Sequence, residues 1–511
     1  MQADKIIIID FGSQYTKLIA RKVRECHVFS EIIPCTGDLK QLKNDSALKG
    51  VILSGGPMSV FVKNAPALSK QIIELGVPVL GICYGLQLLS HHFKGNVSEG
   101  KTREFGKTRV HITSRSVILE GVSKHLSVWM SHGDYVKKLP AGFKPTSRSE
   151  NGLISSFESP KNNIYGVQFH PEVNHTEQGI KIIKNFLFKV CRIKNKWKIG
   201  SFIEEKAAEI RNQVDNEKAI CAMSGGVDSA VAAYLVNKAI GKNLTCVHID
   251  NGLMRKNESR DIIKYFSKKL NLKFIDASEI FLSRLKGVSD PEKKRKIIGK
   301  TFIDVFQQYA KSVGNIKYLV QGTLYPDVIE SSSFQGPSVT IKTHHNVGGL
   351  PKSLRMKLVE PFRELFKDEV REIGRALKVP AEILGRHPFP GPGLSVRILG
   401  EVTKDKLDIL KEADYIYRIC LHEHKLYDKI WQAFCVLLPV STVGVQGDYR
   451  TYDKVLALRA VESVDGMTAN WFHMPSAALE DISTRITNNV KGITRVVYDI
   501  SNKPPATIEW E

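Results

Sequence analysis

The sequence predicts an α/β protein with three domains: a mixed-sheet domain, then a doubly wound parallel-sheet domain, then an α+β domain. Short apolar runs alternate with helical patterns in two separate stretches, which is typical of parallel sheets covered by helices. The 511 residues also exceed what one hydrophobic core normally organises. A basic stretch at Lys189–Gly200 and a Pro/Gly-rich loop at Arg386–Gly393 predict the boundaries. The expected domains are therefore residues 1–195, 196–388 and 389–511.

Composition narrows the function classes. The hydrophobic fraction of 42% with 25% charged residues is that of a globular, non-membrane protein, and no apolar run approaches the ~18 residues of a spanning helix. Eight cysteines without a CxxC pair exclude a disulfide framework and favour the cytoplasm. The net charge of +21 attracts polyanions, which leaves nucleic acid, an acidic membrane and phosphorylated small molecules open. No RNA-recognition motif or zinc finger accompanies that charge.

Elements of the first domain follow from its apolar runs. Four runs, each bounded by polar or glycine-rich sequence, predict parallel strands, and two helices lie among them at Tyr15–Val23 and Leu68–Leu75. The later runs are closely spaced and predict antiparallel additions. The parallel strands are expected within 5–10, 27–34, 49–56 and 77–83, and the antiparallel ones within 109–113, 127–134, 153–158 and 164–169.

A second alternating pattern begins at Lys218, and a mixed pattern follows the proline-rich loop. The second domain is expected to place strands within 218–226, 244–252, 272–277 and 317–323, each followed by a helix or a polar loop. The third is expected to combine a helix at Asp405–Arg418 with strands within 434–440, 496–501 and 506–511.

Cys83 lies between a buried strand and a helix that begins near Tyr84. Gly81 and Gly85 permit a turn too tight for a β-carbon, which is the geometry of a nucleophile elbow. At a helix N-terminus the unpaired N–H groups and the dipole favour a thiolate, and the N–H of Tyr84 is placed to stabilise an oxyanion. Taken alone, however, a cysteine at such a position is more often a small core residue.

Two further motifs favour the catalytic interpretation. SGGP at Ser54–Pro57 follows a strand, where ligand sites of α/β sheets form, and VQFHPEV puts His170 and Glu172 on one side of an extended chain. In this order the three motifs resemble the class I glutamine amidotransferase domain over roughly residues 4–190. The resemblance implies a catalytic triad in which Cys83 attacks glutamine, His170 transfers protons and Glu172 orients His170. It also implies oxyanion or glutamine contacts at Gly56, Tyr84, Gln87, His132 and Asp134.

SGGVDS at Ser224–Ser229 is a glycine turn between a strand and an Ala-rich helix. It lacks the GK(S/T) of a Walker loop, but its glycines let backbone N–H groups approach phosphate oxygens at a helix N-terminus. The motif resembles the ATP-pyrophosphatase (PP-loop) family, which cleaves ATP between its α- and β-phosphates. The resemblance implies ATP contacts at Ser224, Gly225, Gly226, Val227, Asp228 and Ser229, with Asp228 as the Mg²⁺ ligand.

Downstream polar residues are further candidates for the same ATP site. They follow strands or lie in cationic motifs able to neutralise departing pyrophosphate. These candidates are Asp250, Arg295, Gln321, Gly322, Lys342 and Lys367. Individually, each is more often a solvated surface residue. HHNVGG at His344–Gly349 suggests a flexible lid.

The last nine residues, KPPATIEWE, combine two prolines with an apolar strand, which indicates a segment tied into a site. Together with DFGSQYT, SGGVDS, QGTLYPDVIES, THHNVGGLP and VVYDIS, they make essentially the whole chain resemble the glutamine-hydrolysing GMP synthetase family. The resemblance implies a C-terminal domain that binds xanthosine monophosphate (XMP) and forms a homodimer. The implied XMP contacts are Arg495, Lys503, Ile508 and Glu509, with Gln432, Gly391 and Gly393.

The resemblance implies a ligase that uses XMP, MgATP and glutamine to make GMP through a cysteine thioester and an adenylated XMP. It implies no tightly bound organic cofactor, no nucleic-acid partner and no membrane. Two alternatives remain open at this point: another PP-loop ligase or a sulfur-transferring tRNA enzyme, and a protein without this activity. A sulfur-transferring tRNA enzyme would use the positive charge but needs reactive cysteines near the loop, whereas Cys221 and Cys246 are predicted on buried strands. A regulatory or nucleic-acid-binding protein on an inactive amidotransferase scaffold would not need the retained Cys83, His170 and Glu172.

Overall fold

A computed structural model describes residues 3–332, 356–446, 448–463, 466 and 468–511, with only the backbone of 101, 102, 329–332 and 446. Lys342 and the predicted lid at His344–Gly349 lie outside the described residues. Contacts between Cα atoms divide the described chain into two compact units: the first holds the residues up to Lys198 and also 329–332, at the end of a helix that begins in the second, and the second holds the rest.

The first unit is built on one mixed sheet. In the described chain this sheet has nine strands in the order β2-β1-β3-β4-β9-β8-β7-β5-β6, of which the first five are parallel and the rest antiparallel. Its strands are β1 Lys5–Asp10, β2 Phe29–Pro34, β3 Leu48–Leu53, β4 Val79–Ile82, β5 Asn96–Ile112, β6 His125–Lys138, β7 Lys144–Ser149, β8 Ile154–Ser159 and β9 Ile164–Val167. Its helices are α1 Thr16–Glu25, α2 Lys70–Glu74, α3 Tyr84–His92 and α4 Gly179–Asn185.

The parallel half of this sheet is buried on both faces, which explains its continuous apolar runs. Ile6, Ile7, Ile8 and Ile9 of β1 are at most 1% exposed. The sequence prediction for β9 was incomplete: the strand pairs antiparallel with β8, as expected, but it also pairs in parallel with β4. Both β4 and β9 therefore deliver the residues that follow them to the same edge of the sheet.

The two ends of the first unit bind each other through Asp4. Its carboxylate accepts hydrogen bonds from the backbone N–H groups of Lys194 (2.9 Å) and Asn195 (3.0 Å), and its own N–H donates to the carbonyl of Asn195. The side chain of Asp4 is buried, so these charge-assisted bonds are shielded from water. The unit is thus closed just before the second unit begins.

The second unit starts with a fully parallel sheet in the order β12-β11-β10-β13-β14. The strand order reverses between β10 and β13, and ligand crevices of doubly wound sheets lie at the carboxyl ends of such strands. The strands are β10 Lys218–Ala222, β11 Leu244–Asp250, β12 Leu272–Asp276, β13 Ile316–Val320 and β14 Lys357–Val359. The helices are α5 Ile199–Val214, α6 Val227–Ile240, α7 Glu258–Phe266, α8 Ser278–Leu285, α9 Pro291–Val313, α10 Tyr325–Ser332, α11 Lys367–Ala376 and α12 Ala381–Leu384.

The remainder of the second unit is an α+β segment. Strands β15, β16 and β17 are antiparallel, and β18 pairs in parallel with β16. The elements are α13 Lys404–Glu423, β15 Gln432–Gln446, β16 Tyr449–Glu462, β17 Asn470–Trp471, α14 Ser476–Asn489 and β18 Ile493–Tyr498. The boundary predicted at 388/389 lies inside this unit, where one apolar core cluster includes both Ile220 of β10 and Ile493 of β18.

The predicted fold class is confirmed: a mixed-sheet α/β region, a parallel-sheet α/β region and an α+β region follow one another. Within the described ranges, no helix combines the length and apolar character that crossing a bilayer requires.

Candidate active sites

Cys83 lies at a sharp turn between β4 and α3. Its backbone has φ 53° and ψ −106°, a conformation that a residue with a β-carbon rarely adopts. The neighbouring glycines make the turn possible: a β-carbon on Gly81 would lie 2.6 Å from the backbone of Gly85, and one on Gly85 would lie 2.6 Å from the carbonyl oxygen of Leu53. The thiol is therefore held at the N-terminus of α3, where unpaired N–H groups meet.

His170 and Glu172 follow β9 and form a buried pair. Nδ1 of His170 lies 2.7 Å from Oε1 of Glu172, and their side chains are 3% and 0% exposed. Burial alone would lower the pKa of His170, but the charges of the Glu172 carboxylate, which is hydrogen-bonded to the ring, and of the neighbouring Cys83 raise it well above its ordinary value. Because Glu172 occupies Nδ1, Nε2 is the ring nitrogen that remains for proton transfer, and Sγ of Cys83 lies 3.6 Å from the carbonyl oxygen of Ser131. The three side chains form a thiol–imidazole–carboxylate series.

The backbone around His170 is fixed on both sides. Its N–H donates to the carbonyl of Trp129 (3.0 Å), and its carbonyl accepts from the hydroxyl of Thr176 (2.6 Å). The ring meets Tyr15 edge-on, with centroids 4.8 Å apart. These contacts explain how an irregular segment holds its imidazole in one orientation.

The SGGP loop after β3 lies against this triad. A β-carbon on Gly55 would lie 3.2 Å from Cε1 of His170, and one on Gly56 would lie 3.0 Å from the ring of Tyr84. The N–H of Gly85 donates to the carbonyl of Ser54 (3.1 Å), which ties the loop to the cysteine turn. Gly56 and Tyr84 are thus brought together beside Cys83.

Gln87, His132 and Asp134 are also brought together, through the carbonyl of Asp134. That oxygen lies 2.8 Å from Nε2 of Gln87 and 3.0 Å from Nδ1 of His132. His132 is in turn 3.1 Å from the buried carboxylate of Glu104, which sequence reasoning missed. Burial alone would raise the pKa of Glu104, but hydrogen bonds from groups including His132 and Asn151 hold it below its usual range. An isolated glutamate in a long strand gave no sequence signal for this contact.

The pyrophosphate-loop candidates lie at the carboxyl end of β10 and the first turn of α6. Gly225 has φ +79°, and a β-carbon there would lie 2.4 Å from the side chain of Ile262. The hydroxyls of Ser224 and Ser229 are 3.1 Å apart, and Ser224 also accepts from the N–H of Gly226 (3.3 Å). Val227 begins α6 and is buried. The loop thus brings the hydroxyls of Ser224 and Ser229 together with the N-terminus of α6, which are groups that can bind phosphate oxygens.

Asp228 meets charged residues from two other helices. Its Oδ2 lies 3.4 Å from Nζ of Lys367, whereas its buried Oδ1 has no hydrogen-bond partner among the described residues. Burial raises the pKa of Asp228; Lys367 opposes this rise and the negative charge of Asp327 adds to it. A buried carboxylate oxygen without a partner, near a second carboxylate, fits Mg²⁺, which binds through one or two carboxylates plus substrate phosphates. No cluster of three metal-ligating side chains occurs in the described part of the chain.

The remaining ATP candidates are placed differently. Gly322 packs on Asp228, since its β-carbon would lie 2.8 Å from that backbone, and the adjacent Gln321 has a buried Oε1 with no partner in the described chain. Asp250 ends β11 and accepts from the N–H of Gly252 (2.8 Å). Arg295 of α9 instead donates to the main-chain oxygen of Glu511 and pairs with Glu292 (2.6 Å).

Glu509 is the centre of the XMP candidates. Its carboxylate accepts two hydrogen bonds from Arg397 (2.8 and 3.1 Å) and one from Nε2 of Gln432 (2.7 Å). Gln432 also contacts the carbonyl of Pro388, at the start of the proline-rich loop (3.2 Å). Arg397 is fully buried and was missed by sequence reasoning, although an arginine within the apolar run SVRIL signals a buried charge that needs a partner.

The other XMP candidates are Gly391, Gly393, Ile508, Arg495 and Lys503, and their surroundings differ. Gly393 has φ +64°, and a β-carbon there would lie 2.4 Å from the carbonyl oxygen of Leu253, while nothing lies within 4 Å of a β-carbon on Gly391. Ile508 is buried against Phe434 and its neighbours. Arg495 contacts Thr442 (3.4 Å), and Lys503 donates to the carbonyl of Gly466 (2.8 Å). A cavity of about 540 Å³ is lined by residues that include Thr507, Glu509 and Trp510.

Three family models match separate stretches of the chain. Residues 7–190 match the class-I glutamine amidotransferase family, residues 420–510 the GMP synthase C-terminal domain, and residues 214–286 the thiamine biosynthesis protein ThiI family. A protein of Aquifex aeolicus described as "GMP synthase [glutamine-hydrolyzing]" is 54% identical over 100% of both chains. One of Brachyspira hyodysenteriae with the same description is 53% identical over 99% of both. The chain belongs to the glutamine-hydrolysing GMP synthase family.

Two solved structures each cover less than two fifths of the chain. A putative GMP synthase subunit from Thermoplasma acidophilum is 31% identical, with a TM-score of 0.33, and covers 38% of this chain and 96% of its own. A glutamine amidotransferase from Thermotoga maritima is 22% identical, with a TM-score of 0.30, and covers 37% of this chain and 84% of its own.

Proposed function

We propose that this chain converts XMP, ATP, glutamine and water into GMP, AMP, pyrophosphate and glutamate. The observation that carries the proposal is that one chain of this family holds a buried Cys83–His170–Glu172 series and a complete SGGVDS loop. The first supplies a nucleophile and proton-transfer group for an amide, and the second a phosphate-binding turn. Cys221 and Cys246, which a sulfur-transferring enzyme would need to expose, are 1% and 0% exposed.

In the front site, the thiolate of Cys83 attacks the side-chain carbonyl carbon of glutamine. The N–H groups of Gly56 and Tyr84 stabilise the oxyanion, and the imidazolium of His170 gives its proton to the departing ammonia. A thioester remains on Cys83. His170 then takes a proton from water, whose oxygen attacks the thioester and releases glutamate. The raised pKa of His170 suits this role, because the ring must be protonated before ammonia leaves.

In the rear site, the O2 oxygen of XMP attacks the α-phosphorus of ATP and pyrophosphate leaves. Ammonia then attacks C2 of the adenylated purine, and AMP leaves in place of an oxide. Asp228, with Asp327 nearby, would hold Mg²⁺, which supplies charge neutralisation for the phosphates. Lys367 provides a second cation at this position.

The XMP contacts are proposed around Glu509 and Gln432, with the loop containing Gly391 and Gly393. The bond from Arg295 to Glu511 supports moving Arg295 from the ATP group to this XMP group. Arg495 and Lys503 remain candidates as cations for the nucleotide phosphate. Apart from Arg295, the proposal assigns residues 389–511 to XMP binding, 196–388 to ATP and 1–195 to glutamine.

A homodimer through the C-terminal segment is proposed from an apolar surface on the β15–β16 hairpin. Val445, Tyr449 and Tyr452 are 74%, 80% and 69% exposed, and a cluster of exposed large apolar residues marks an interaction site.

A cytoplasmic location is proposed because all eight cysteines are free, and the Cys83 nucleophile requires a reducing compartment.

The test is an assay of AMP, pyrophosphate and GMP with XMP, ATP and Mg²⁺, with either glutamine or ammonium as nitrogen donor. The proposal expects stoichiometric AMP and pyrophosphate with both donors. A chain that leaves XMP unchanged with saturating ammonium would refute it. Tight RNA binding without pyrophosphate release would favour the regulatory alternative instead.

A further inference from the structure

Lys294 of α9 is a fully buried lysine whose ammonium has a complete set of partners. Its Nζ donates to the carbonyls of Ser395 (3.1 Å) and Ile398 (2.8 Å) and to the carboxylate of Glu511 (2.6 Å). An ammonium has three N–H donors, so these three acceptors satisfy it. Because burial of an ammonium is costly without such partners, the side chain is built into this position rather than left there by chance.

The acceptors belong to the two segments that form the centre of the proposed XMP site. Ser395 and Ile398 flank Arg397, and Glu511 lies two residues beyond Glu509. Arg397 and Glu509 bind each other through two hydrogen bonds, as described above. The two segments are therefore joined twice. Lys294 connects Ser395 and Ile398 to Glu511, and the Arg397–Glu509 pair connects the same segments two residues before Glu511.

The segment that carries Glu509 depends on these side-chain contacts. The strand predicted within 506–511 was wrong: these residues form no helix or strand, so the segment has no backbone ladder to position it. Glu511 is held by Lys294, by Arg295 through its main-chain oxygen, and by the N–H of Gly400 (3.3 Å). Without Lys294, the carboxylate of Glu511 would lose its closest bond.

We propose that Lys294 is a positioning residue for XMP: through Glu511 it fixes Glu509 in the orientation that binds the nucleotide. This inference rests on the proposed function. If the segment adopts its binding conformation only part of the time, the apparent affinity for XMP falls in proportion to the fraction of time spent in that conformation. The loss of Lys294 therefore weakens XMP binding more than it slows the chemical step. A general loss of folding would instead lower the rate at every substrate concentration.

The test compares Lys294→Met with Lys296→Met, an exposed lysine on the same helix, in the full-length enzyme with ammonium as nitrogen donor. Met keeps the volume of the stem but removes the ammonium. We expect KM for XMP to rise at least tenfold in Lys294→Met, with kcat at saturating XMP within threefold of wild type and KM for ATP unchanged. Lys296→Met should match wild type.

A second variant keeps the proposal testable if Lys294→Met does not fold. Glu511→Ala removes the carboxylate from the same bond and should raise KM for XMP in the same direction. Where both fold, the double variant should be no worse than Lys294→Met alone, because both changes break one contact. An unchanged KM for XMP in a folded variant, or a fall in kcat alone, overturns the positioning role. Wild-type enzyme that forms no AMP from XMP would instead refute the proposed function itself.

Discussion

Replacing Glu172 by Gln tests the chemistry of the front site most directly, because it removes one charge and changes little else. The carboxylate contacts His170 at 2.7 Å, and both side chains are almost completely buried. Two unit charges roughly 4 Å apart interact by about 4 kcal/mol at an effective dielectric of about 20. A factor of ten in rate corresponds to ~1.36 kcal/mol, and Gln still accepts a hydrogen bond from Nδ1. We therefore expect glutaminase kcat/KM to fall roughly 10²- to 10³-fold.

The pH dependence gives an independent readout. His170 must carry a proton to release ammonia, and Glu172 is one of the groups that raise its pKa. Removing the carboxylate lowers that pKa, so the alkaline limb of the glutaminase pH profile should move to lower pH. The assay measures glutamate release between about pH 6 and 10, with Glu177→Gln, an exposed glutamate of the same unit, as the control. Activity within threefold of wild type and an unmoved alkaline limb would refute the triad.

Three further outcomes are expected. Cys83→Ala should abolish amination from glutamine but leave ammonium-dependent amination within about twofold, and loss of both would break the assignment of two sites. Asp228→Asn should reduce pyrophosphate release at least ~100-fold with either donor while glutamate release persists; near-normal pyrophosphate release would remove its proposed role. Gly85→Ala should destabilise the cysteine turn by about 1–3 kcal/mol and abolish glutaminase activity, because its β-carbon would lie 2.6 Å from the oxygen of Leu53. Gly200→Ala, where nothing lies within 4 Å, should leave the melting temperature and glutaminase activity unchanged, and equal losses would contradict the steric argument.

Much of the fold could be predicted because alternating apolar runs depend on local sequence. The run at Ile6–Ile9 predicted a buried strand, and the strand is buried on both faces. Strand β9 was predicted only in part, because spacing alone does not say which two neighbours a strand has: it pairs antiparallel with β8, as expected, but also joins the parallel half beside β4. That return brings the segment of His170 to the segment of Cys83.

Candidate residues could be named from motifs, but their partners could not. Gln432 and Glu509 were named separately, and only the fold shows the 2.7 Å contact between them. Glu104 and Lys294 were not named at all, because each is one charged residue in an ordinary-looking strand or helix. Arg295 was grouped with ATP from its charge, since nothing in its neighbourhood on α9 indicates a contact with Glu511.

The hydrogen bonds that Asp4 makes with Lys194 and Asn195, here called the Asp4 clasp, join the beginning of the first unit to its end. The bonds of Asp4 therefore do not depend on the polypeptide that follows Asn195. A gene cut after Asn195 would preserve every bond of this clasp, whereas one that starts after Asp4 would remove the carboxylate that accepts from the N–H groups of Lys194 and Asn195. Such a module could therefore be fused to another domain, or separated from it, by a change in one short linker. The residue that defines its boundary is Asp4 at its beginning, and not a residue of the linker.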